Sequence, residues 1–156
     1  MIIRLLAAGT RMPAWVSAGY HEYSSRIGGE FRLELVEVPV ARRGRNVDLA
    51  RARAAEGQRM LAAIEPRHYV VALDVQGSAL STERLARWLE ARMADGRDLA
   101  LLIGGPDGLD PACSRRADFA WSLSALTLPH ALVRIVVAEQ LYRAQSVIRG
   151  HPYHRA

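Results

Sequence analysis

The sequence predicts an α/β fold in which helices flank a mostly parallel β-sheet. Short runs rich in Ile, Leu and Val alternate with longer segments of helical pattern, and this alternation is typical of parallel sheets. The 156 residues, of which 50% are hydrophobic, are enough for one domain with a substantial core and few for two. We therefore expect one domain spanning residues 1–156.

Four apolar runs have the composition of β-strands and are bounded by Gly, Pro or charged turns. In chain order they are IIRLLAA, FRLELVEV, HYVVALD and LALLIGG. The second run alternates strictly with period two, so one of its faces meets water and the strand belongs near an edge of the sheet. The third and fourth runs are almost entirely apolar, which indicates central strands.

Helix signals lie between these runs. Pro13 occupies a position that a helix start tolerates, and residues 48–64 are rich in Ala and Arg. Ser81 can cap a third helix, which Gly96 then ends. The sequence therefore predicts a helix in each connection between these strands.

The last long segment, ALVRIVVAEQLYRAQSVIRG, has a helical pattern but is apolar on more than one face between Leu132 and Ala138. A helix on the outside of a small domain normally carries a single apolar stripe. This helix therefore lies deep in the domain or packs against a second subunit, and we favour a homodimer. Glu139 and Arg143 are spaced for an ion pair on the helix surface.

The formal charge of +5 and a pI near 10.1 favour a polyanionic partner. All 21 Lys and Arg residues are Arg, which suits bidentate recognition of phosphate but also follows from a genome that prefers Arg codons. The single cysteine, Cys113, excludes an internal disulfide, and only Arg115 and Arg116 lie near it as activating groups, so we expect a buried thiol. With no membrane-length apolar run and no signal peptide pattern, we expect a cytoplasmic protein without a membrane partner.

Two strand ends carry unusual residues, ALDVQG and LIGGPDG. Ligands bind beyond the carboxyl ends of strands in open α/β sheets, and paired glycines let a ligand approach the backbone closely. An ordinary Pro-initiated turn at GPDG is the alternative. The glycines match neither G-x-G-x-x-G nor a P-loop, and the five histidines have no metal-ligand spacing, so we expect no metal.

A further segment, WSLSALTLPH, alternates apolar and small hydroxyl residues as a half-buried strand does, yet runs directly into a helical pattern. Together with LLIGGPDGLDPAC, the helix that follows, and the terminal HPYHR, it closely resembles the SPOUT-class methyltransferases that act on pseudouridine in large-subunit ribosomal RNA. This is the pseudouridine-N3 family called methyltransferase H. AAGTRMPAWVSAGYHEY and ELVEVPVARRGRN resemble its amino-terminal part, so the resemblance covers essentially the whole chain.

The resemblance implies a carboxyl-terminal trefoil knot, and a knot loop that wraps the cofactor S-adenosylmethionine. It implies that Gly105 permits close approach of the cofactor, and that Gly105→Val abolishes cofactor binding. The residues that it places at the cofactor are Leu73, Gly104, Gly105, Leu123, Ser124, Ala125, Leu126, Thr127 and Leu128.

The resemblance also brings four side chains to the acceptor base, and these are Arg143, Tyr153, His154 and Arg155. His154 acts either as the general base or only as an RNA contact, and a neighbouring subunit can contribute the tail that carries it. Arg42, Arg43 and Arg45 are expected to contact phosphates of 23S rRNA within the ribosome, the alternative being a solvated loop. A ribosome-binding protein that has lost transfer activity, and a small-molecule enzyme, are the competing interpretations.

Overall fold

The computed structural model describes residues 1–155 and contains a parallel five-stranded sheet in the order β2-β1-β4-β3-β5. The strands are β1 (Ile2–Ala8), β2 (Arg32–Val38), β3 (Tyr69–Ala79), β4 (Leu99–Ile103) and β5 (Phe119–Ser122). The helices are α1 (Ala14–Ser24), α2 (Leu49–Ala62), α3 (Thr82–Asp95), α4 (Pro111–Arg116) and α5 (His130–Ile148), followed by a 3-10 helix, Pro152–Arg155. The predicted fold class and the four predicted strands are confirmed.

The sheet buries apolar side chains on both faces. Leu5 and Leu101 belong to the core beneath α1, α3 and α5, whereas Leu6 and Leu102 belong to the core beneath α2 and α4. All five residues of β4 are buried, as expected for the centre of a parallel sheet. The alternating strand β2 lies at an edge, which confirms its predicted place.

The predicted caps of α3 are confirmed. Ser81 Oγ accepts a hydrogen bond from the backbone N–H of Arg84 at 3.2 Å, and Gly96 ends the helix with a φ of 79°. A side chain other than hydrogen at that φ would be strained. Asp48 caps α2 in the same way, by accepting from the N–H of Arg51 at 3.2 Å.

Strand β5 was not predicted separately. It ends at Ser122, and the rest of the WSLSALTLPH segment has no regular structure before α5 begins at His130. Beside it, β3 leaves the parallel ladder: Leu73 and Ser78 are both opposite Trp121, with four residues between them. The trefoil knot implied by the resemblance stays a prediction.

Glycine is required where β3 resumes its parallel pairing with β5. A Cβ added at Gly77 would lie 2.7 Å from the carbonyl carbon of Ala120 and 2.9 Å from the backbone nitrogen of Trp121. These are backbone atoms, which cannot rotate away as a side chain can. The irregular end of β3 therefore depends on a residue without a side chain.

Helix α5 is anchored by a buried arginine. Arg134, 2% exposed, donates from Nη2 to the carbonyl oxygen of Gly9 at 2.6 Å and from Nη1 to Glu37 Oε2 at 2.8 Å. These bonds tie α5 to the carboxyl ends of β1 and β2. Among residues 1–155 no helix is both long and apolar enough to cross a membrane.

Candidate active site

A cavity of about 640 Å³ opens beside the bend of β3 and the carboxyl ends of β4 and β5. The carboxyl ends of neighbouring parallel strands meet at one edge of a sheet, and ligand sites form there for that reason. The walls come mainly from three parts of the chain: the bend of β3, the turn after β4, and the irregular segment between β5 and α5. Most of the lining is apolar, with backbone and a few polar side chains interspersed.

Most of the residues that the resemblance places at the cofactor line this one cavity. They are Leu73, Gly104, Gly105, Leu123, Ser124, Leu126, Thr127 and Leu128. Ala125 is absent from the lining and exposed. Ser124 Oγ accepts from the N–H of Leu126 at 2.9 Å, and the tight turn that this bond closes carries Ala125 away from the cavity.

The two glycines after β4 differ in what surrounds them. A Cβ at Gly104 would lie 2.4 Å from the carbonyl carbon of Gly108 and 2.5 Å from the nitrogen of Leu109. A Cβ at Gly105 would meet only side-chain atoms of Ala8, Glu56 and Val40, at 3.4 to 3.6 Å. Gly104 is therefore required by the chain's own backbone, which closes the turn that borders the cavity, and the close approach of a cofactor at Gly105 stays a prediction.

Sequence reasoning missed several lining residues, of which Asp74 and His130 carry chemistry. Asp74 directly follows Leu73 at the bend of β3, and a carboxylate after a buried strand is a signal that could have found it. His130 follows the irregular segment; its Nδ1 atom is buried and has no partner among the described residues. Burial and then the nearby Arg134 guanidinium lower the pKa of His130, so its ring is neutral near pH 7.

Two of the side chains predicted to act on the base meet at Glu139. Arg143 Nε donates to Glu139 Oε1 at 2.8 Å, and Tyr153 donates from its hydroxyl to the same oxygen at 3.2 Å. The Arg143 guanidinium carbon also lies 5.0 Å from the centre of the Tyr153 ring. The predicted ion pair on α5 is confirmed, and it extends to the terminal 3-10 helix.

The charges around this cluster keep its groups protonated. Hydrogen bonding to Glu139 raises the pKa of Arg143, which stays cationic. Burial, followed by the Glu139 carboxylate, raises the pKa of Tyr153. At neutral pH, Tyr153 is therefore a hydrogen-bond donor and not a base.

The cavity and this cluster are separate within one chain. As far as residues 1–155 are concerned, Arg143, Tyr153, His154 and Arg155 do not appear among the residues that line the cavity. His154 is half-buried, with no partner for Nδ1 within the described chain, and Arg155 is exposed. The structure thus brings Arg143 and Tyr153 together but leaves all four away from the chain's own cavity.

The arginines of the basic loop between β2 and α2 differ in their surroundings. Arg42 and Arg45 are exposed, as a phosphate contact requires. Arg43 is instead paired within the chain, with Nη1 2.7 Å from Glu56 Oε1 and Nη2 2.8 Å from Asp107 Oδ2. A phosphate contact at Arg43 would require these two ion pairs to open, so the phosphate contact stays a prediction for this residue.

Among the residues that the structure describes, no group of three or more His, Cys, Asp or Glu side chains is placed to hold a metal ion. Cys113 is buried and donates from its sulfur to the carbonyl oxygen of Gly57 at 3.6 Å. Burial raises the pKa of this thiol to about 11, which leaves it protonated and unreactive. The cysteine is a core residue, as the sequence predicts.

Comparisons with known proteins give a consistent result. A family model described as predicted SPOUT methyltransferase matches residues 1–154. The ribosomal RNA large subunit methyltransferase H of Alkalilimnicola ehrlichii is 58% identical over 156 residues, with 100% of both chains covered. The protein of the same name from Thioalkalivibrio sulfidiphilus is 57% identical over 155 residues, with 99% of both covered.

A likeness in fold accompanies the likeness in sequence. The crystal structure of TrmJ from Z. mobilis ZM4 superposes with a TM-score of 0.53 at 16% identity, over 93% of this chain and 69% of that one. This likeness concerns the fold alone, whereas the relatives match along the full length of the sequence. The chain therefore belongs to the SPOUT methyltransferases and, within them, to the family of ribosomal RNA large subunit methyltransferase H.

Proposed function

We propose that this protein transfers the methyl group of S-adenosylmethionine to N3 of a pseudouridine in 23S rRNA, and that its substrate is the assembled ribosome. The observation that carries the proposal is the identity of 58% and 57%, over the full chain, with two proteins named ribosomal RNA large subunit methyltransferase H. We further propose that residues 1–156 form one domain that works in the cytoplasm, where ribosomes are.

The residues around the cavity fit S-adenosylmethionine. Leu123, Leu126 and Leu128 offer apolar surface for an adenine ring, and the irregular backbone between β5 and α5 offers N–H and C=O groups to its edges. Leu126 is 73% exposed, so a ring packed against it would remove a large apolar side chain from water. The Asp74 carboxylate at the bend of β3 suits the positive charge of a sulfonium.

The bound cofactor supplies a methyl group that is already electrophilic, so the protein's main task is to align donor and acceptor. The second task is removal of the N3 proton. Arg143, as a cation, and Tyr153, as a hydrogen-bond donor, can stabilise negative charge on the carbonyls beside N3. His154 then serves as the base or as a contact to the RNA.

The distance between tail and cavity in one chain favours a homodimer in which each tail completes the partner's site. Exposed apolar residues support a second subunit: Trp15 on α1 is 59% exposed, and Leu126 lies at the cavity. Helix α1 packs closely on α5, since a Cβ at Gly19 would lie 2.8 Å from Ile135 Cδ1.

Arg42 and Arg45 are the loop residues that we assign to phosphate contacts. Contacts to phosphates position a protein on RNA but carry no sequence information. The target nucleotide is accordingly chosen by the shape of folded RNA, which the assembled ribosome presents.

The test is transfer of labelled methyl from S-adenosylmethionine to ribosomes that lack the modification, beside free rRNA and separate subunits. We expect label in N3-methylpseudouridine, identified by mass, with assembled particles preferred. Ribosome binding without transfer would favour the inactive RNA-binding protein instead. Absence of both transfer and cofactor binding would contradict the proposal.

A further inference from the structure

A single side chain, Arg43, joins the basic loop of residues 40–48 to two other parts of the chain. Its Nη1 atom lies 2.7 Å from Glu56 Oε1 on α2, and its Nη2 atom lies 2.8 Å from Asp107 Oδ2 in the turn after β4. Nη1 also donates to the carbonyl oxygen of Ala41 at 2.9 Å, so the loop's own backbone is held around the guanidinium. The hydrogen bond to Asp107 comes from Nε, which donates to Oδ2 at 2.8 Å, whereas the contact with Glu56 is an ion pair.

The turn that contains Asp107 forms part of the cavity wall. The N–H of Gly108 donates to the carbonyl oxygen of Gly105 at 3.0 Å and closes the turn. Gly105, Pro106 and Gly108 line the cavity, while Asp107 points to Arg43. The outer side of this turn is thus fastened to the basic loop, and its inner side borders the proposed cofactor.

Glu56 lies directly behind the same wall. Its side chain is buried, and a Cβ on Gly105 would lie only 3.4 Å from Glu56 Oε2. A buried carboxylate is stable only while a cation or hydrogen-bond donors accompany it, and Arg43 provides that cation here. Displacement of Arg43 would leave an unpaired charge against Gly105, so the position of the loop and the shape of the cavity wall depend on each other.

We propose that Arg43 is a positioning residue that couples the basic loop to the cofactor cavity, so that binding of RNA and binding of S-adenosylmethionine reinforce each other. Phosphate contacts at Arg42 and Arg45 order the loop on either side of Arg43. Arg43 in turn holds Asp107 and the turn of residues 105–108 in the shape that borders the cofactor. This inference rests on the proposed function and adds to it a link between its two binding sites.

Such coupling is reciprocal: a cofactor that strengthens RNA binding by some factor is itself bound more strongly by the same factor in the presence of RNA. Direct phosphate binding by Arg43 would instead require its pairs with Glu56 and Asp107 to open. The two roles make different predictions for cofactor affinity in the absence of RNA, since only a positioning role lowers that affinity when Arg43 is replaced.

The experiment compares Arg43→Gln with two matched changes of charge in the full-length protein. Arg45→Gln removes a charge from an exposed arginine of the same loop, and Arg51→Gln removes one from an exposed arginine at the start of α2. Filter binding gives the affinity of each protein for ribosomes that lack the modification, with and without S-adenosylhomocysteine. Calorimetry gives the affinity for S-adenosylhomocysteine alone, and thermal melting shows that each variant is folded.

We expect S-adenosylhomocysteine to strengthen ribosome binding by the wild-type protein about fivefold or more, in the usual range for coupled sites. The ratio of ribosome affinities with and without S-adenosylhomocysteine measures the coupling. Arg45→Gln weakens ribosome binding but keeps this ratio, whereas Arg51→Gln keeps both the affinity and the ratio. Arg43→Gln brings the ratio close to one and weakens cofactor binding on its own. Arg43→Lys, which retains the charge but not the fork, restores part of the ratio.

Asp107→Asn provides a second route if Arg43→Gln does not fold. It weakens the link at the turn while leaving Arg43 paired with Glu56, and we expect the same loss of ratio. A wild-type ratio of one, or an unchanged ratio in folded Arg43→Gln and Asp107→Asn, would overturn the coupling while leaving methyl transfer intact. A wild-type protein that neither binds cofactor nor transfers methyl would overturn the proposed function, and this inference with it.

Discussion

The turn after β4 has almost no room at Gly104, where an added Cβ would lie 2.4 Å from the carbonyl carbon of Gly108. We predict that Gly104→Ala destabilises the protein by about 1–3 kcal/mol, the usual cost of forcing extra atoms into a packed region. It should also weaken cofactor binding, because the displaced turn borders the cavity. Urea unfolding and calorimetry with S-adenosylhomocysteine measure the two effects.

Gly105→Ala is the matched control, since its Cβ would meet only side-chain atoms at 3.4 Å or more. We expect a smaller loss of stability there. Equal losses at the two positions would contradict the assignment of the close backbone approach to Gly104.

Because of buried His68, we expect the free energy of unfolding to decrease at acidic pH. It is 2% exposed, its Nδ1 accepts from the N–H of Glu65 at 3.1 Å, and burial lowers its pKa from 6.5. The unfolded chain therefore binds more protons than the folded one just below pH 6.5. We predict that the contribution of His68 to the free energy of unfolding is fully present above pH 6.5. It is lost as the pH falls from 6.5 through the lowered pKa of His68 in the folded state.

Chemical denaturation of the wild type and of His68→Asn over this range measures that contribution. The amide oxygen of Asn can accept the bond from Glu65 without titrating, so the variant should show a shallower decrease in the free energy of unfolding as the pH falls below 6.5. Carboxylates with a lowered pKa, such as Glu65, act only at lower pH. Identical slopes in both proteins would argue that His68 does not contribute.

Residues at the site could be predicted where the signal is local. Gly104 and the segment from Leu123 to Leu128 carry their information in a few consecutive letters, and nearly all of them line the cavity. The pairing of Arg43 within the chain could not be predicted, because its partner Asp107 is 64 positions away in the sequence. A basic loop looks the same in sequence whether its arginines face solvent or a distant carboxylate.

Helices and strands, like the site residues, could be predicted where the signal lies within the segment itself. Caps and apolar runs predicted β1 to β4 and α1 to α3, since these signals lie within each segment. Strand β5 has only four residues and one strand neighbour, so its existence depends on pairing with β3. The bend of β3 after Leu73 is likewise a product of that pairing, and Gly77 is the only local sign of it.

The basic loop between β2 and α2 provides a prediction about salt. Replacing both Arg42 and Arg45 by Gln should weaken ribosome binding and reduce the slope of log affinity against log salt concentration, by up to about 0.7–0.9 for each phosphate that the variant no longer binds. Binding measured at several salt concentrations tests this. The double variant of Arg51 and Arg59 on α2 removes the same charge elsewhere, and an equal change of slope in it would mean that only net charge matters.

The assembly of the whole protein can be tested by mixing two inactive forms. Thr127→Trp fills the cavity from an exposed lining residue, and the double change His154→Ala and Arg155→Ala removes two functional side chains of the tail. If each tail completes the partner's cavity, a mixed dimer has one intact site. We predict that co-expression of the two chains restores about one quarter of wild-type methyl transfer, since half of random dimers are mixed.

Each variant expressed alone should be inactive and, by sedimentation, still dimeric. Mixed dimers without activity would indicate that tail and cavity act within one chain. If the wild-type protein sediments as a monomer, the site cannot be shared between two subunits.

The place of β1 in the sheet has a consequence for how the protein is made. β1 lies between β2 and β4, and Ile3 pairs with Leu99. During translation, an apolar strand therefore leaves the exit tunnel with one hydrogen-bonding edge that stays open until β4 follows. Long-range parallel pairs form slowly and leave such edges prone to aggregation. The ribosome must therefore synthesise residues 1–103 before β1 can pair along both of its edges.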